Sequence, residues 1–377
     1  MGSDSLTRRK FMRMAGLASL AGQAKWLPAA TRPLQQEAIE QRPKFAFVGV
    51  AGQAEGVHVY AIEGDHWSVQ QIVPSEAPVS LALHPSHRTL FVLNEISEFQ
   101  GLPTGSVEAY ELDDKTGQLN LLGRQGLSLS ATMPRHMAVA PDGKTLAVAV
   151  DGGGAYNLLP ILADGRLGRV RDILKETGSG PVEAHQETAH PQAILFDPTG
   201  RRVIAADLGS DRISVISVQD EFEVLARHAM PPGSGPRHLA LHPDGNLLYV
   251  ANALDGSLAA FAYDSVSGRI SEKRLQMPGQ DCQALCMHSS GDFLLTATGD
   301  EITAWRIEAS TGALEQLHSL ETGSNEIREI IPVHEGQAIV ALTDRDILRI
   351  KFDDKSGKID RPALAASVSG ARCLAAV

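Results

Sequence analysis

The sequence predicts an all-β fold, a seven-bladed β-propeller with four antiparallel strands per blade and one blade closed by both chain termini. Three observations lead there: a motif recurring at near-fixed spacing, four short strand patterns inside each repeat, and complementary half-blades at the two ends. Self-similarity at such a period marks an array in which each unit buries its faces against its neighbours.

The motif is clearest in Pro134-Arg135-His136-Met137-Ala138-Val139-Ala140-Pro141-Asp142-Gly143, which returns as Pro236-Arg237-His238-Leu239-Ala240-Leu241-His242-Pro243-Asp244-Gly245. Pro78-Val79-Ser80-Leu81 and Pro191-Gln192-Ala193-Ile194 are further copies, and weaker ones begin at Cys282 and Ile327. The starts at 78, 134, 191, 236, 282 and 327 are 56, 57, 45, 46 and 45 residues apart.

Taken in chain order, the first element is an address. Thr7-Arg8-Arg9-Lys10-Phe11-Met12-Arg13 closely resembles the twin-arginine export consensus. A mildly apolar stretch, Met14 to Gly22, and small residues suited to cleavage near Ala24 or Ala30 follow. The expectation is a signal peptide over 1–30, a polar linker over 31–43 and a propeller over 44–377, with the protein periplasmic or secreted. Lys44-Phe45-Ala46-Phe47-Val48-Gly49-Val50 reads as a second strand lacking a first. Within each copy a β-type run ends in a tight turn, Pro-Asp-Gly in the two clearest copies, a second run follows (Leu247 to Asn252), and a polar loop leads to a third (Ser257 to Tyr263). A Ser/Thr-Gly turn, as at Thr116-Gly117 and Ser267-Gly268, introduces the fourth. Four antiparallel strands in about 45 residues make one propeller blade. Ala371 to Val377 reads as a first strand with nothing after it, so the two ends complete one blade and six internal copies make seven.

Composition narrows the partners. The chain of 377 residues carries a net charge of −11, and the first thirty residues hold five Lys/Arg against one acid, so the body is more acidic still. Such a body repels phosphate backbones and anionic membranes, and nucleic acid is excluded as an expected partner. No run reaches the roughly 18 apolar residues of a membrane span. Cys282, Cys286 and Cys373 are too few and too scattered for a disulfide framework or a zinc site. No HExxH, Walker loop, GxSxG or CxxC occurs. Neither a cofactor nor a metal is expected, and a monomer is favoured.

Loops before first strands and after second strands of a propeller gather at one end of the channel. The second residues of the copies are Val79, Arg135, Gln192, Arg237, Gln283, Arg328 and Arg372, which places four guanidiniums in one ring. Asn94, Glu95, Asp151, Asp207, Asp344 and Arg345 are the loop positions expected beside them. Guanidinium forks match carboxylate and phosphate, so the ring reads as an anion site. Pairing within the ring, as of Arg135 with Glu95 or Asp151, is the competing expectation. The long connection from Lys175 to Ala189 carries Glu176, Glu183, His185 and Glu187 and reads as a functional loop. His84, His242, His288 and His334 fall at the opposite end, as surface or capping residues.

The repeats resemble the lactonase family of seven-bladed propellers, which includes bacterial 6-phosphogluconolactonases and the fungal carboxy-cis,cis-muconate lactonizing enzyme. The resemblance covers roughly 45–377. It is carried by Gly178-Ser179-Gly180-Pro181, Gln186-Glu187-Thr188-Ala189-His190-Pro191, Asp207-Leu208-Gly209-Ser210-Asp211-Arg212 and Gly233-Ser234-Gly235-Pro236-Arg237-His238. It implies a site at the channel mouth built from a His before a first strand, the Arg of the Gly-Pro-Arg-His segment, a Glu after the Asn of that blade's second strand, and an Arg in the next blade. His190 and Arg237 fill the first two positions. Ala253 stands where the family has Glu, and Ala284 to Cys286 with Thr298-Gly299 replace the next blade's pattern. The expected catalytic residues are His190 or Glu187 as general base and Arg237 as oxyanion stabiliser. Arg135, His136, His238, Arg328, Arg372 and Glu95 are the expected substrate-binding residues. The expected ligand is a small anionic sugar lactone or sugar acid, hydrolysed or, as the alternative, only bound by a catalytically silent propeller that acts as a ligand- or protein-binding module.

Overall fold

The computed structural model describes residues 44–377 apart from 65, 277–281, 325 and 334–335. The export signal and linker expected over 1–43, like His334, lie outside the described residues. Those described form seven four-stranded antiparallel sheets. Blades 2 to 7 begin with first strands Pro78–Leu83, Thr132–Val139, Pro191–Phe196, Pro236–Leu241, Ala284–Met287 and Ile327–Val333. Blade 1 is assembled from both ends of the sequence: Ala371–Ala376 supplies its first strand and Lys44–Val50 its second. In their pairing Ala46 lies opposite Ala376 and Val48 opposite Leu374. Each first strand touches the first strands of both neighbouring blades, and those of blades 1 and 2 meet, so the seven form a closed ring about the axis.

Second strands are buried on both faces, as Thr89–Asn94 and Ala338–Thr343 illustrate, because each sheet is covered by a neighbour on either side. That is why their sequences read as continuous apolar runs. The cores lie between blades: Phe45, Phe47, Val57 and Val59 of blade 1 pack with Leu90, Val92 and Tyr110 of blade 2. Ala46, Val48 and Leu374 of blade 1 pack on their other side with Val340, Leu342 and Ile347 of blade 7. Each large apolar side chain so buried contributes about 1.5–3 kcal/mol.

The turns at the far end of the channel lock neighbouring blades. His84 Nε2 hydrogen-bonds the Gly143 carbonyl at 2.9 Å, and His288 Nε2 that of Gly336 at 2.9 Å. Gly143 has φ 71°, and a Cβ there would stand 2.3 Å from the His84 ring, so the turn requires glycine on both counts. His242 lies against Gly291 in the same way. These histidines cap the next blade's turn. Of the two placements expected for it, surface or capping, His288 takes the second, being only 1% exposed and packed on Phe293 and Phe352.

Candidate functional site

The ring at the channel mouth has a backbone cause. In blade 3 Pro134 pairs with Val150 and His136 with Ala149, which leaves Arg135 without a partner of its own. The same one-residue slip occurs at Val79, Gln192, Arg237, Arg328 and Arg372. In blade 6 pairing starts at Ala284, just past Gln283. A bulge turns its extra residue away from the sheet, and here it aims the second residue of each blade at the axis. All seven line one cavity of about 1010 Å³, with His136, Asp151, His185, Glu187, His190, His238 and Glu329.

The charges in this cavity are largely ordered by one another. Glu95 accepts from both Arg135 and Arg372, which reach it from the blades on either side. Arg135 Nε also donates to Asp151 at 3.0 Å. The other Asp151 oxygen lies 2.5 Å from His190 Nδ1. Asp151 therefore fixes the tautomer in which Nδ1 carries the proton, leaving the Nε2 lone pair free for chemistry. Thr188 Oγ1 stands 3.3 Å from that Nε2. Arg328 Nη1 donates to the Ala371 carbonyl at 3.4 Å. Arg237 is exposed, and its guanidinium takes part in no ion pair or hydrogen bond among the described residues.

Register separates loop positions that the sequence had grouped together. Glu95 follows Asn94, which pairs with Pro78, and Asp151 follows Val150, which pairs with Pro134, so the two acids are equivalent. Asn94 and Asp207 occupy the preceding position, inside the strand, and are buried. Asn94 donates to Ser75 and to the Glu76 carbonyl. Asp207 accepts the His190 backbone N–H at 2.7 Å, and burial raises its carboxyl above the usual range. Neither lines the cavity, nor do Asp344 and Arg345. Glu95 also lies off the cavity wall, its side chain only 7% exposed beneath the two arginines it holds. Ala253 is blade 5's equivalent of Glu95 and is likewise off the wall, its N–H tied to the Gly235 carbonyl at 2.7 Å.

The long connection splits by role. Glu176 is buried and pairs with Arg227 and Ser214. A single helical turn, Glu183–Gln186, is pinned by fully buried Gln186, which donates to the Leu208 carbonyl at 2.7 Å and to Asp211 at 2.8 Å. That anchorage puts Ala184, His185 and Glu187 on the cavity wall. Beneath the rim, the third residues of the motif copies and of the closing strand are Ser80, His136, Ala193, His238, Ala284, Glu329 and Cys373, all on the wall. Burial lowers the imidazole of His136 and takes that of His238 down to about 3, so both are neutral. Burial pushes the Glu329 carboxyl up to about 8. Glu329 was missed in the sequence, although the same register that exposes the arginines also picks it out, one residue further on. Among the described residues no group of three His, Cys, Asp or Glu is arranged to hold a metal ion.

A closed ring of seven β-blades with a polar cavity on its axis defines a propeller with a ligand site at the channel mouth. Within that class, the family described as Lactonase, 7-bladed beta-propeller, matches residues 45–376, and the chain belongs to it. It is 24% identical to the 6-phosphogluconolactonase of Bacillus subtilis over 74% of this chain and 82% of that protein. With the 6-phosphogluconolactonase of Formosa agariphila it shares 25% identity over 85% of this chain and 94% of the relative. Among solved structures, the periplasmic gluconolactonase of Pseudomonas aeruginosa superposes with a TM-score of 0.79 at 26% identity, over 89% of this chain and 99% of that one. A putative 6-phosphogluconolactonase from Bacteroides fragilis superposes with a TM-score of 0.81 at 22% identity, over 90% and 99%.

Proposed function

We propose that this protein is an exported lactonase that hydrolyses a small sugar lactone to its sugar acid in the axial cavity. The observation that carries the reading is the pair His190–Asp151 sharing one cavity with the unpaired guanidinium of Arg237. His190 Nε2 takes a proton from water as the water oxygen bonds to the lactone carbonyl carbon, and Arg237 balances the oxyanion that forms. Collapse breaks the ring C–O bond, and His190 returns its proton to the departing alkoxide. Glu187, on the pinned turn, is the second candidate base. Arg135, Arg328 and Arg372, with His136 and His238, shape the substrate's seat, and Glu95 holds two of the arginines in place. Relatives named for 6-phosphogluconolactone and gluconolactone support a sugar lactone, and the periplasmic neighbour agrees with the Arg8-Arg9 signal. An exported protein does not meet cytoplasmic phosphorylated lactone, which favours another aldonolactone.

One observation favours a silent binding protein instead: Ala253 stands where the family pattern has Glu. Turnover of a panel of aldonolactones by the purified mature protein, measured against spontaneous hydrolysis, decides between them. Acceleration that disappears in His190→Ala is the expected result. Tight binding of sugar acids with no acceleration of any lactone gives the silent reading.

A further inference from the structure

The rim of the cavity is charged, whereas the tier beneath it carries polar groups without charge. Glu329 is the telling member. Its carboxylate accepts the Leu374 N–H at 2.6 Å and makes no ion pair among the described residues. The arginine beside it on its own strand and the one on the next blade's first strand are turned elsewhere, Arg328 to the Ala371 carbonyl and Arg372 to Glu95. The groups that flank it across the blade interfaces are thiols, Cys286 of blade 6 and Cys373 of blade 1. The second strands Phe293–Thr298 and Ala338–Thr343, packed behind it, contain no titratable residue. A half-buried carboxylate without a counter-ion holds its proton more tightly than one in water.

A proton-bearing carboxyl has an O–H to give, and this one stands on the wall of a cavity. It has company there: the buried His238 Nε2 has no hydrogen-bond partner. Both belong to third residues of first strands, one register step below the arginines. We propose that Glu329 binds ligand as an uncharged carboxylic acid, donating to a hydroxyl oxygen, and that this lower tier receives the neutral, hydroxyl-bearing end of a sugar acid or lactone while the arginine rim receives its carboxyl end. The inference rests on the sugar-lactone reading above and adds to it the orientation of the ligand and a preference for a polyol tail.

The probe is sodium gluconate, titrated calorimetrically into the wild-type protein, Glu329→Gln and Glu329→Ala between about pH 6 and pH 9.5. Glutamine keeps an uncharged donor and cannot ionise. Wild-type affinity is expected to be flat to about pH 7 and to fall toward tenfold per pH unit beyond about pH 8. Glu329→Gln should bind within a few-fold of wild type with no alkaline fall, and Glu329→Ala about tenfold more weakly throughout. Infrared difference spectra of the wild type at neutral pH should show a protonated carboxyl stretch that Glu329→Gln lacks. That measurement on unaltered protein stands even if a variant fails to fold. The inference is overturned by an ionised Glu329 at neutral pH, by an alkaline fall that persists in Glu329→Gln, or by no gluconate binding at all. Lactone turnover with Glu329-independent gluconate affinity sinks this inference alone. Glu329-dependent binding without turnover sinks only the hydrolysis.

Discussion

At the scale of single residues, His190 is held twice. Asp151 fixes its ring and Asp207 its backbone. Loss of the ring contact leaves the imidazole free to take the wrong tautomer. We therefore expect Asp151→Asn to lower kcat/KM for a turned-over lactone by about 10²–10⁴-fold. Adding His190→Ala to it should cost little more than His190→Ala alone, because the two act as a unit. Independent, multiplying losses in steady-state kinetics would break the dyad apart. His190 and Arg237 were legible in the sequence because Gln186 to Pro191 and Gly233 to His238 carry the family's pattern. The partnership with Asp151 was not, since it crosses from one blade to the next over 39 positions of chain. Asp207 was read as a rim group, and only the pairing of Pro191 with Asp207 shows that it lies inside the strand.

The imidazole of His238, whose Nε2 is buried, gives a second residue-scale expectation. Its folded pKa, about 3, lies below the usual 6.5, so the native state binds fewer protons than the unfolded chain in between. Stability is fully present above pH 6.5 and is lost as pH falls from there toward 3. Burial lowers His136 in the same direction. Thermal melts of His238→Gln should show an acid limb shallower than that of wild type. Parallel limbs across this window would mean that the ring protonates freely in the folded protein.

At the scale of elements, the strand Ala371–Ala376 carries the most weight for its length. Deleting 371–377 removes Leu374 from the core it shares with Val340 and Leu342, and uncovers one edge of Lys44–Val50. The loss of Leu374 alone is worth about 1.5–3 kcal/mol, and the unpaired edge adds to it. The truncated protein should melt well below wild type in a calorimetric scan, and an unchanged melting temperature would show that the ring closes without this strand. The existence and order of the strands were legible because their apolar runs recur in step with the turns. The bulge at each second residue was not, because nothing in Pro-Arg-His distinguishes a bulged arginine from one in regular register. It follows from the geometry of the ring, where the start of every inner strand must bend toward the axis.

At the scale of the whole molecule, the number of blades was legible from the copies and the two complementary ends. The proposed destination rests on Thr7 to Arg13. Replacing both Arg8 and Arg9 by Lys should hold the precursor in the cytoplasm, since lysine lacks the guanidinium fork. Fractionation of cells expressing the double variant checks this, and undiminished periplasmic protein would remove the signal assignment. No described helix is long and apolar enough to cross a membrane.

The blade shared by both ends sets a clock on biosynthesis. Val48 is made among the first residues and Leu374 among the last, yet they are neighbours in one sheet. At 5–20 residues per second the ribosome needs roughly 16–65 s to deliver the strand that Val48 awaits. Until then the Lys44–Val50 edge lacks its partner strand, and an unpaired edge is the kind of surface that recruits stray strands. A product that stops before Ala371 leaves that edge unpaired. The arrival of Ala371–Ala376 is thus the step that covers the edge and joins the two ends of the ring.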